Sequence, residues 1–171
     1  MRYLLSFILG IVFLSSCNIE PKEINYGKDQ CRFCKMNVVD KQHAAEVVTK
    51  KGKVFKYDAI ECMMRDYKDA HDKVALFVVN DYNTPRTLID AKTSTFIISE
   101  NIPSPMGEFL SAFSTREDAE KVKKEKGGKL YTWNELTALF KTKKGVNMSE
   151  KKKSDMKCEA GKCAPGKCGG K

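Results

Sequence analysis

Residues 44–64 read AAEVVTKKGKVFKYDAIECMM, and this stretch predicts a β-hairpin followed at once by a helix. Two short β-type runs, at 44–49 and 54–57, flank a Lys-Lys-Gly-Lys turn. Asp58 is expected to cap the helix, with Glu61 three residues later completing a capping box. The apolar residues of this helix recur at helical spacing: Ile60, Met63, Met64 and Tyr67.

The same order of elements is predicted a second time further along the chain. A buried strand at 75–80 follows the first helix, and further strands are predicted at 87–90, 95–99 and 109–113. Ser114 and Glu117 form a second capping box, and that helix is expected to end at Gly127-Gly128. The last elements predicted are a strand at 130–133 and a helix at 134–140. Two similar β-β-α units in an α+β domain with largely antiparallel strands are therefore expected.

Residues 1–16 have the features of a bacterial lipoprotein signal peptide. Arg2 supplies the positive start, and the apolar run of about 12 residues is shorter than the roughly 20 that span a bilayer. Small residues precede Cys17, which matches the lipobox and predicts acylation of that thiol. We expect a chain anchored by lipid in the cell envelope, facing the periplasm, and Asn18 favours the outer membrane over the inner one. An ordinary signal peptide with an incidental cysteine is the alternative.

The predicted organisation is a lipidated tether at 17–27, a folded domain at 28–141 and a tail at 142–171. The tail is rich in lysine and poor in apolar residues, so disorder is expected. Its repeats, KCEAG, KCAPG and KCGGK, suggest accessory metal ligands or an oxidised tail without function; the cysteines concerned are Cys158, Cys163 and Cys168. The net charge of +9 lies largely in this exported tail, which argues against nucleic-acid binding.

The clearest chemical motif is Cys31-Arg-Phe-Cys34-Lys-Met36. A Cys-x-x-Cys pair fits zinc, a redox disulfide or a soft metal ion. Zinc normally takes a second pair of Cys or His ligands, and the domain's histidines, His43 and His71, stand singly. Met36 adds a thioether, which is a poor zinc ligand and a good Cu(I) ligand. Spacing alone leaves Cu(I), zinc and redox chemistry open, and Met36 can also be a core residue.

Two further segments carry sulfur. Met106 follows two prolines and precedes Gly107, so it is either a ligand on a stiff loop or a plug that packs the loop onto the core. Cys62 lies four residues after Asp58 on the predicted helix and so shares its face. A buried core cysteine is the plain interpretation of Cys62, and an additional ligand to a metal held by the Cys31–Met36 loop is the other.

These motifs, taken in order, resemble the NosL family, whose members are lipoproteins regarded as accessory copper chaperones of nitrous oxide reductase. The resemblance covers about residues 30–133. After the Cys-x-x-Cys-x-Met motif it rests on four stretches: VFKYDAIECM, LFVVNDYN, LIDAKTSTFIIS and PMGEFLSAFSTREDAEKVKKEKGGKLYTW.

The resemblance implies a treble-clef-like fold of two β-β-α units, similar to the core of organomercurial lyase, and Cu(I) binding without an enzymatic reaction. The ligands it implies are Cys34, Met36 and Met106, with Cys31 or Cys62 as a further ligand; Asp58 and Gly107 would support them. The family's Cys-Gly-Met motif falls on Cys34, Lys35 and Met36, so lysine stands where glycine is usual.

The implied partner is nitrous oxide reductase or its membrane assembly and transport complex, with the membrane contacted through the lipid and the chain itself a monomer. Three alternatives remain open from the sequence. They are an envelope thiol-disulfide protein that uses Cys31 and Cys34, a structural lipoprotein with a disulfide between them, and a general copper-sequestering lipoprotein.

Overall fold

The computed structural model describes residues 18–142, so the signal peptide, Cys17 and the tail cysteines lie outside the described residues. The strands are β1 Ala45–Thr49, β2 Val54–Tyr57, β3 Val74–Asn80, β4 Leu88–Asp90, β5 Thr95–Ile98, β6 Leu110–Phe113 and β7 Lys129–Thr132. The helices are α1 Ile60–Tyr67, α2 Arg116–Lys126 and α3 Trp133–Thr142, with a 3-10 turn at His71–Lys73 before β3. No helix in this part of the chain is both long and apolar enough to cross a bilayer.

The two predicted units have the same strand pairing. In the first, β1 pairs with β2 on one side and β3 on the other, and β4 extends the sheet to the order β2-β1-β3-β4. In the second, β5 pairs with β6 and β7 in the order β6-β5-β7. Every one of these pairings is antiparallel, and a helix separates the hairpin from the third strand in each unit. The predicted α+β class with two β-β-α units is confirmed.

Both predicted helix caps are wrong in detail. The residue that precedes α1 is Ala59, and no side chain caps this helix. Asp58 instead accepts a hydrogen bond from the Val39 N–H at 3.1 Å, because its carboxylate turns towards the loop that carries Cys31 and Cys34. At α2 the cap is Thr115 rather than Ser114, and its hydroxyl oxygen accepts from the Asp118 N–H at 3.2 Å.

One hydrophobic core joins the two units. The Trp133 ring at the start of α3 packs against Phe77 of β3 and Phe96 of β5, with ring centroids 4.9 and 6.1 Å away. Met63 and Met64 of α1 are buried in the same cluster. Because both sheets bury side chains in this core, neither unit is complete without the other.

Buried polar contacts also connect the units. Glu61 of α1 accepts hydrogen bonds from the Ser104 hydroxyl and, at 3.4 Å, from the Leu110 N–H. His43 is buried, with Nε2 3.1 Å from Ser111 Oγ and Nδ1 3.0 Å from Asp40 Oδ1. Ser111 is fully buried in β6. The contacts from Asp40 through His43 to Ser111 therefore link the loop before β1 to the second sheet, and the Ser111 hydroxyl is not accessible to a substrate.

The turn between α2 and β7 requires glycine. Gly128 has φ +102°, and a Cβ there would lie 2.5 Å from the carbonyl oxygen of Ile98 and 2.8 Å from Ser99 Cβ. A side chain would push the end of α2 away from β5. The predicted helix stop at Gly127-Gly128 is therefore set by close backbone packing as well as by helix capping.

Packing of the chain begins at Lys22, before the predicted domain boundary at Lys28. The Lys22 N–H donates to Glu46 Oε1 at 2.7 Å, Ile24 is buried, and Asn80 Nδ2 donates to the Tyr26 hydroxyl at 2.7 Å. Most of the predicted tether is thus part of the folded domain, since the first sheet offers buried partners to its backbone and side chains.

Glu46 is a buried carboxylate in the central strand of the first sheet, and burial raises its pKa from 4.5 to about 6. A raised pKa means that the folded state holds the proton longer than the unfolded state, so stability falls as the pH rises from about 4.5 to 6. We expect Glu46→Gln to stabilise the protein by about 1–2 kcal/mol at pH 7 and to change little near pH 4.

Urea unfolding of both proteins at the two pH values measures this difference. Glu100→Gln removes the same charge from an exposed position and is the control. A Glu46→Gln variant that is less stable than the parent at pH 7 would contradict the expectation.

Candidate metal centre

Three cysteines converge in the first β-β-α unit. The Sγ atoms of Cys31, Cys34 and Cys62 all lie within 4.8 Å of one another, and the three thiols are free. Cys31 and Cys62 are fully buried, whereas Cys34 is partly exposed. Cys31 and Cys34 come from the loop before β1, and Cys62 lies in the first turn of α1.

A tight turn brings the first two sulfurs together. The Cys31 N–H donates to the Met36 carbonyl at 2.8 Å, and the Lys35 N–H donates to the Cys31 carbonyl at 3.1 Å. Lys35 has φ +66°, a left-handed conformation that favours glycine. The family's usual glycine at this position has a physical reason in this turn, and lysine adopts the same backbone here.

Backbone amides favour ionisation of the sulfurs. Hydrogen bonding by the N–H groups of Cys34 and Asp58 lowers the pKa of Cys31, and the N–H of Met36 acts in the same direction on Cys34. Asp58 therefore supports the centre through its backbone, in addition to its carboxylate contact with Val39. Such hydrogen bonds favour the thiolate form that a soft metal ion binds.

The three thiols share one favoured site of ionisation. The hydrogen bond from the Cys62 thiol, together with the two amides, lowers the pKa of Cys31 to about 5. The same hydrogen bond to Cys31, and burial, raise the pKa of Cys62, while burial raises the pKa of Cys34. In the metal-free centre, Cys31 is therefore the thiol that ionises most readily.

Arg32 fastens the cysteine loop to the hairpin and to α1. Its guanidinium donates to the Tyr67 hydroxyl at 2.7 Å, pairs with Asp66 at 3.2 Å and stacks over the Phe55 ring at 3.9 Å. Arg32 stands between the two cysteines in the motif, but its partners are distant in the sequence, and no sequence pattern predicts these contacts. The sequence analysis did not identify this residue.

The two methionines predicted as ligands differ in how far they are exposed to solvent. Met36 is 48% exposed at the edge of the cysteine loop, whereas Met106 is partly buried and packs against the main core, as Cys34 does. Gly107 has φ +71° and lies exposed after Met106. The structure thus brings the three domain thiols together, and the two methionines remain candidate thioether ligands outside this cluster.

The Met106 loop is held down by contacts that the sequence analysis missed. Glu61 binds Ser104, as described above, and Arg65 of α1 pairs with Glu108. Glu61 and Cys62 are adjacent on α1, so the same helix positions one thiol and the methionine loop. The only sequence signal was an acidic residue among the apolar residues at the start of the helix, which a capping box explained equally well.

The donor set suits a soft, low-coordinate metal ion. Within residues 18–142, the cluster contains three sulfur atoms and no His, Asp or Glu ligand. Structural zinc takes four donors in a tetrahedron, whereas thiolates and thioethers together select Cu(I). The arrangement can therefore hold Cu(I) on three thiols, with a thioether available as a further, weaker donor.

Comparisons with known proteins agree with this architecture. The NosL family model matches residues 21–140. The crystal structure of the copper chaperone NosL from Shewanella denitrificans superposes with a TM-score of 0.62 at 23% sequence identity, covering 69% of this chain and 96% of that one. At that identity the likeness establishes the fold. No curated protein sequence matches the chain significantly.

The left-handed backbone of Lys35 can be tested by substitution. Glycine adopts this conformation without the strain that a Cβ causes, so we expect Lys35→Gly to stabilise the reduced, metal-free protein by about 1 kcal/mol. Urea unfolding measures the change. Lys35→Ala, which loses the Nζ contact to the Arg32 carbonyl but keeps the Cβ, should not stabilise. Equal stabilisation by alanine and glycine would show that the backbone conformation is not the cause.

Proposed function

Because the chain belongs to the NosL family, we propose that it is a copper metallochaperone that binds Cu(I) and passes it to a partner protein, without catalysing a reaction. The observation that supports this most directly is the convergence of Cys31, Cys34 and Cys62 within 4.8 Å. Three soft donors satisfy a monovalent ion that neither needs nor prefers a tetrahedral set of hard ligands.

The proposed site has two kinds of ligand. The buried thiols Cys31 and Cys62 hold the ion, and the partly exposed Cys34 is the thiol through which it enters and leaves. Met36 and Met106 are the proposed thioether ligands, which bind more weakly than thiolates and do not lose affinity through protonation. A partner's sulfur can replace such a donor without first breaking a metal–thiolate bond.

The surface around the cysteine loop favours transfer to another protein. Three of the four large apolar residues that are exposed within residues 18–142 lie on this loop: Phe33, Met36 and Val39, at 41, 48 and 60% exposure. Exposed apolar groups that cluster in this way are typical of interaction sites. Nitrous oxide reductase, or the membrane complex that assembles it, is the proposed recipient, and this proposal rests on the family.

The proposed location is the cell envelope. Acylation of Cys17 would attach the chain to the membrane, with the metal centre on the periplasmic side and the outer membrane preferred. The tail cysteines are proposed as accessory copper ligands, because nearby lysines favour their thiolates.

Copper binding can be tested in a background with Cys158, Cys163 and Cys168 changed to serine, which isolates the domain site. There, Cys62→Ser should weaken Cu(I) binding by about tenfold or more, because it removes one of the three thiol donors. A tenfold change in Kd corresponds to about 1.4 kcal/mol. Met36→Leu and Met106→Leu should weaken it less, because thioethers are the weaker donors. Anaerobic competition with a chromophoric Cu(I) chelator measures all of these affinities.

Met64→Leu changes a buried methionine of α1 that is not a proposed ligand, and it should leave the affinity unchanged. Cys62→Ala checks that any loss in Cys62→Ser comes from the missing sulfur rather than from a buried hydroxyl, and circular dichroism checks folding. Unaltered Cu(I) affinity in both Cys62 variants would refute the three-thiol site, and so would tighter binding of Zn(II) than of Cu(I) by the parent.

The anchor can be tested by cell fractionation. Cys17→Ala removes the acylated thiol, so the protein should move from the membrane fraction to the soluble fraction, and mass spectrometry should find no acyl chains. Cys168→Ala, in the tail, should remain in the membrane fraction. Retention of the Cys17→Ala protein in the membrane would contradict acylation as the means of attachment.

A further inference from the structure

A basic cleft lies beside the cysteine loop. It has a volume of about 470 Å³ and is lined on one side by the loop and on the other by the β1–β2 hairpin. Four basic side chains and a single acidic one line it: Lys22, Arg32, Lys53, Lys56 and Asp29. Asp29 pairs with Lys56 at 2.6 Å, and Arg32 pairs with Asp66 at 3.2 Å. Within residues 18–142, Lys22 and Lys53 are the basic side chains of the lining that form no ion pair.

The hairpin turn extends this basic surface. Lys50 and Lys51 are exposed and stand directly before Gly52 and Lys53, which line the cleft. The turn therefore carries three lysines within four residues on the side of the sheet where Lys22 enters the fold. A cluster of this density attracts an anionic surface.

The position of Lys22 limits the distance between the cleft and Cys17. Its backbone N–H is fixed to the buried Glu46 at 2.7 Å, so the folded domain starts at this residue. Lys22 is the fifth residue after Cys17, and an extended chain of that length spans at most about 18 Å. If Cys17 is acylated, as proposed above, the cleft cannot be further than this from the lipid surface.

The short connection also contains an apolar group. Ile19 is 42% exposed and lies two residues from Cys17. Glu20 and Glu23 stand among the same residues and reduce the local charge, so the attraction must come from the lysines of the cleft and the turn.

We propose that the surface formed by Lys22, Lys50, Lys51 and Lys53 docks against anionic phospholipid headgroups, and that this contact fixes the orientation of the anchored domain. Arg32 lines the same cleft and belongs to the cysteine loop, so docking places the metal centre next to the membrane surface. The proposal rests on the acyl anchor and is independent of which metal the thiols bind.

A second basic cleft in the molecule provides an internal control. Its lining also has four basic residues and one acidic: Arg116, Lys123, Lys124, Lys129 and Glu120. It lies in the second β-β-α unit, on α2 and β7, and the tether does not run to it. Charge alone would draw both clefts to lipid, whereas the tether favours the first.

Amine acetylation footprinting of the acylated full chain tests the proposal. The chain is inserted into vesicles of phosphatidylcholine alone or with a large fraction of phosphatidylglycerol, and mass spectrometry gives the acetylation rate of each lysine. We expect the rates at Lys22, Lys50, Lys51 and Lys53 to fall by about fivefold or more in the anionic vesicles and to recover at high salt. Lys123 and Lys124 should be unaffected.

Two triple variants separate the cleft from general charge. With Lys50, Lys51 and Lys53 changed to glutamine, Lys22 should lose its protection in the anionic vesicles. With Lys123, Lys124 and Lys126 changed to glutamine, the same loss of charge should leave Lys22 protected. Loss of protection in both variants would overturn the assignment of the surface.

The remaining outcomes are decisive as well. A chain isolated without acyl groups refutes the anchor and the docking together, whereas an acylated chain with equal lysine rates in both kinds of vesicle refutes the docking alone. Protection that appears only in vesicles made from whole membranes, and not in pure lipid, would mean that a protein covers the surface, which also overturns the proposal.

Discussion

The buried sulfur of Cys31 is the point on which this domain's chemistry depends. It has no exposed surface, and the amides of Cys34 and Asp58 and the thiol of Cys62 lower its pKa. These partners come from three places: the cysteine loop, the end of the hairpin and the first turn of α1. Burial by itself opposes ionisation of this thiol, so its low pKa depends on these three segments meeting in the folded domain. The same arrangement brings three sulfur donors to one point.

The second β-β-α unit contributes the loop that carries Met106. This loop joins the two strands of the unit's hairpin, β5 and β6, and Glu61 and Arg65 of α1 hold it through Ser104 and Glu108. A buried carboxylate keeps a place in a core only when hydrogen bonds compensate for its lost hydration. The pairing of the two units therefore fixes a methionine loop over the helix that carries Cys62, while the shared Trp133 core sets the distance between the sheets.

Arg32 connects the metal centre to the surface that we assign to the membrane. It lies between Cys31 and Cys34 in the sequence, stacks on Phe55 and lines the basic cleft. An ion delivered or removed at the partly exposed Cys34 would thus pass close to the headgroups, where envelope assembly proteins are found. The apolar side chains of the same loop remain available to such a protein, because the proposed lipid contact uses the lysines of the cleft and the hairpin turn.

The sequence alone determined the elements, since periodicity, turn residues and the repeated order of hairpin, helix and strand are local signals. It also determined which residues can bind a soft metal, because sulfur is rare and its spacing in the Cys-x-x-Cys-x-Met motif is visible. Only the tertiary structure decided that Cys62 joins Cys31 and Cys34 while Met36 stays at the surface. A helix pattern places Cys62 on a buried face but does not say what lies opposite that face. The partners of Arg32, Glu61 and Glu46 were equally hidden, because they are distant in the chain and meet only in the folded domain.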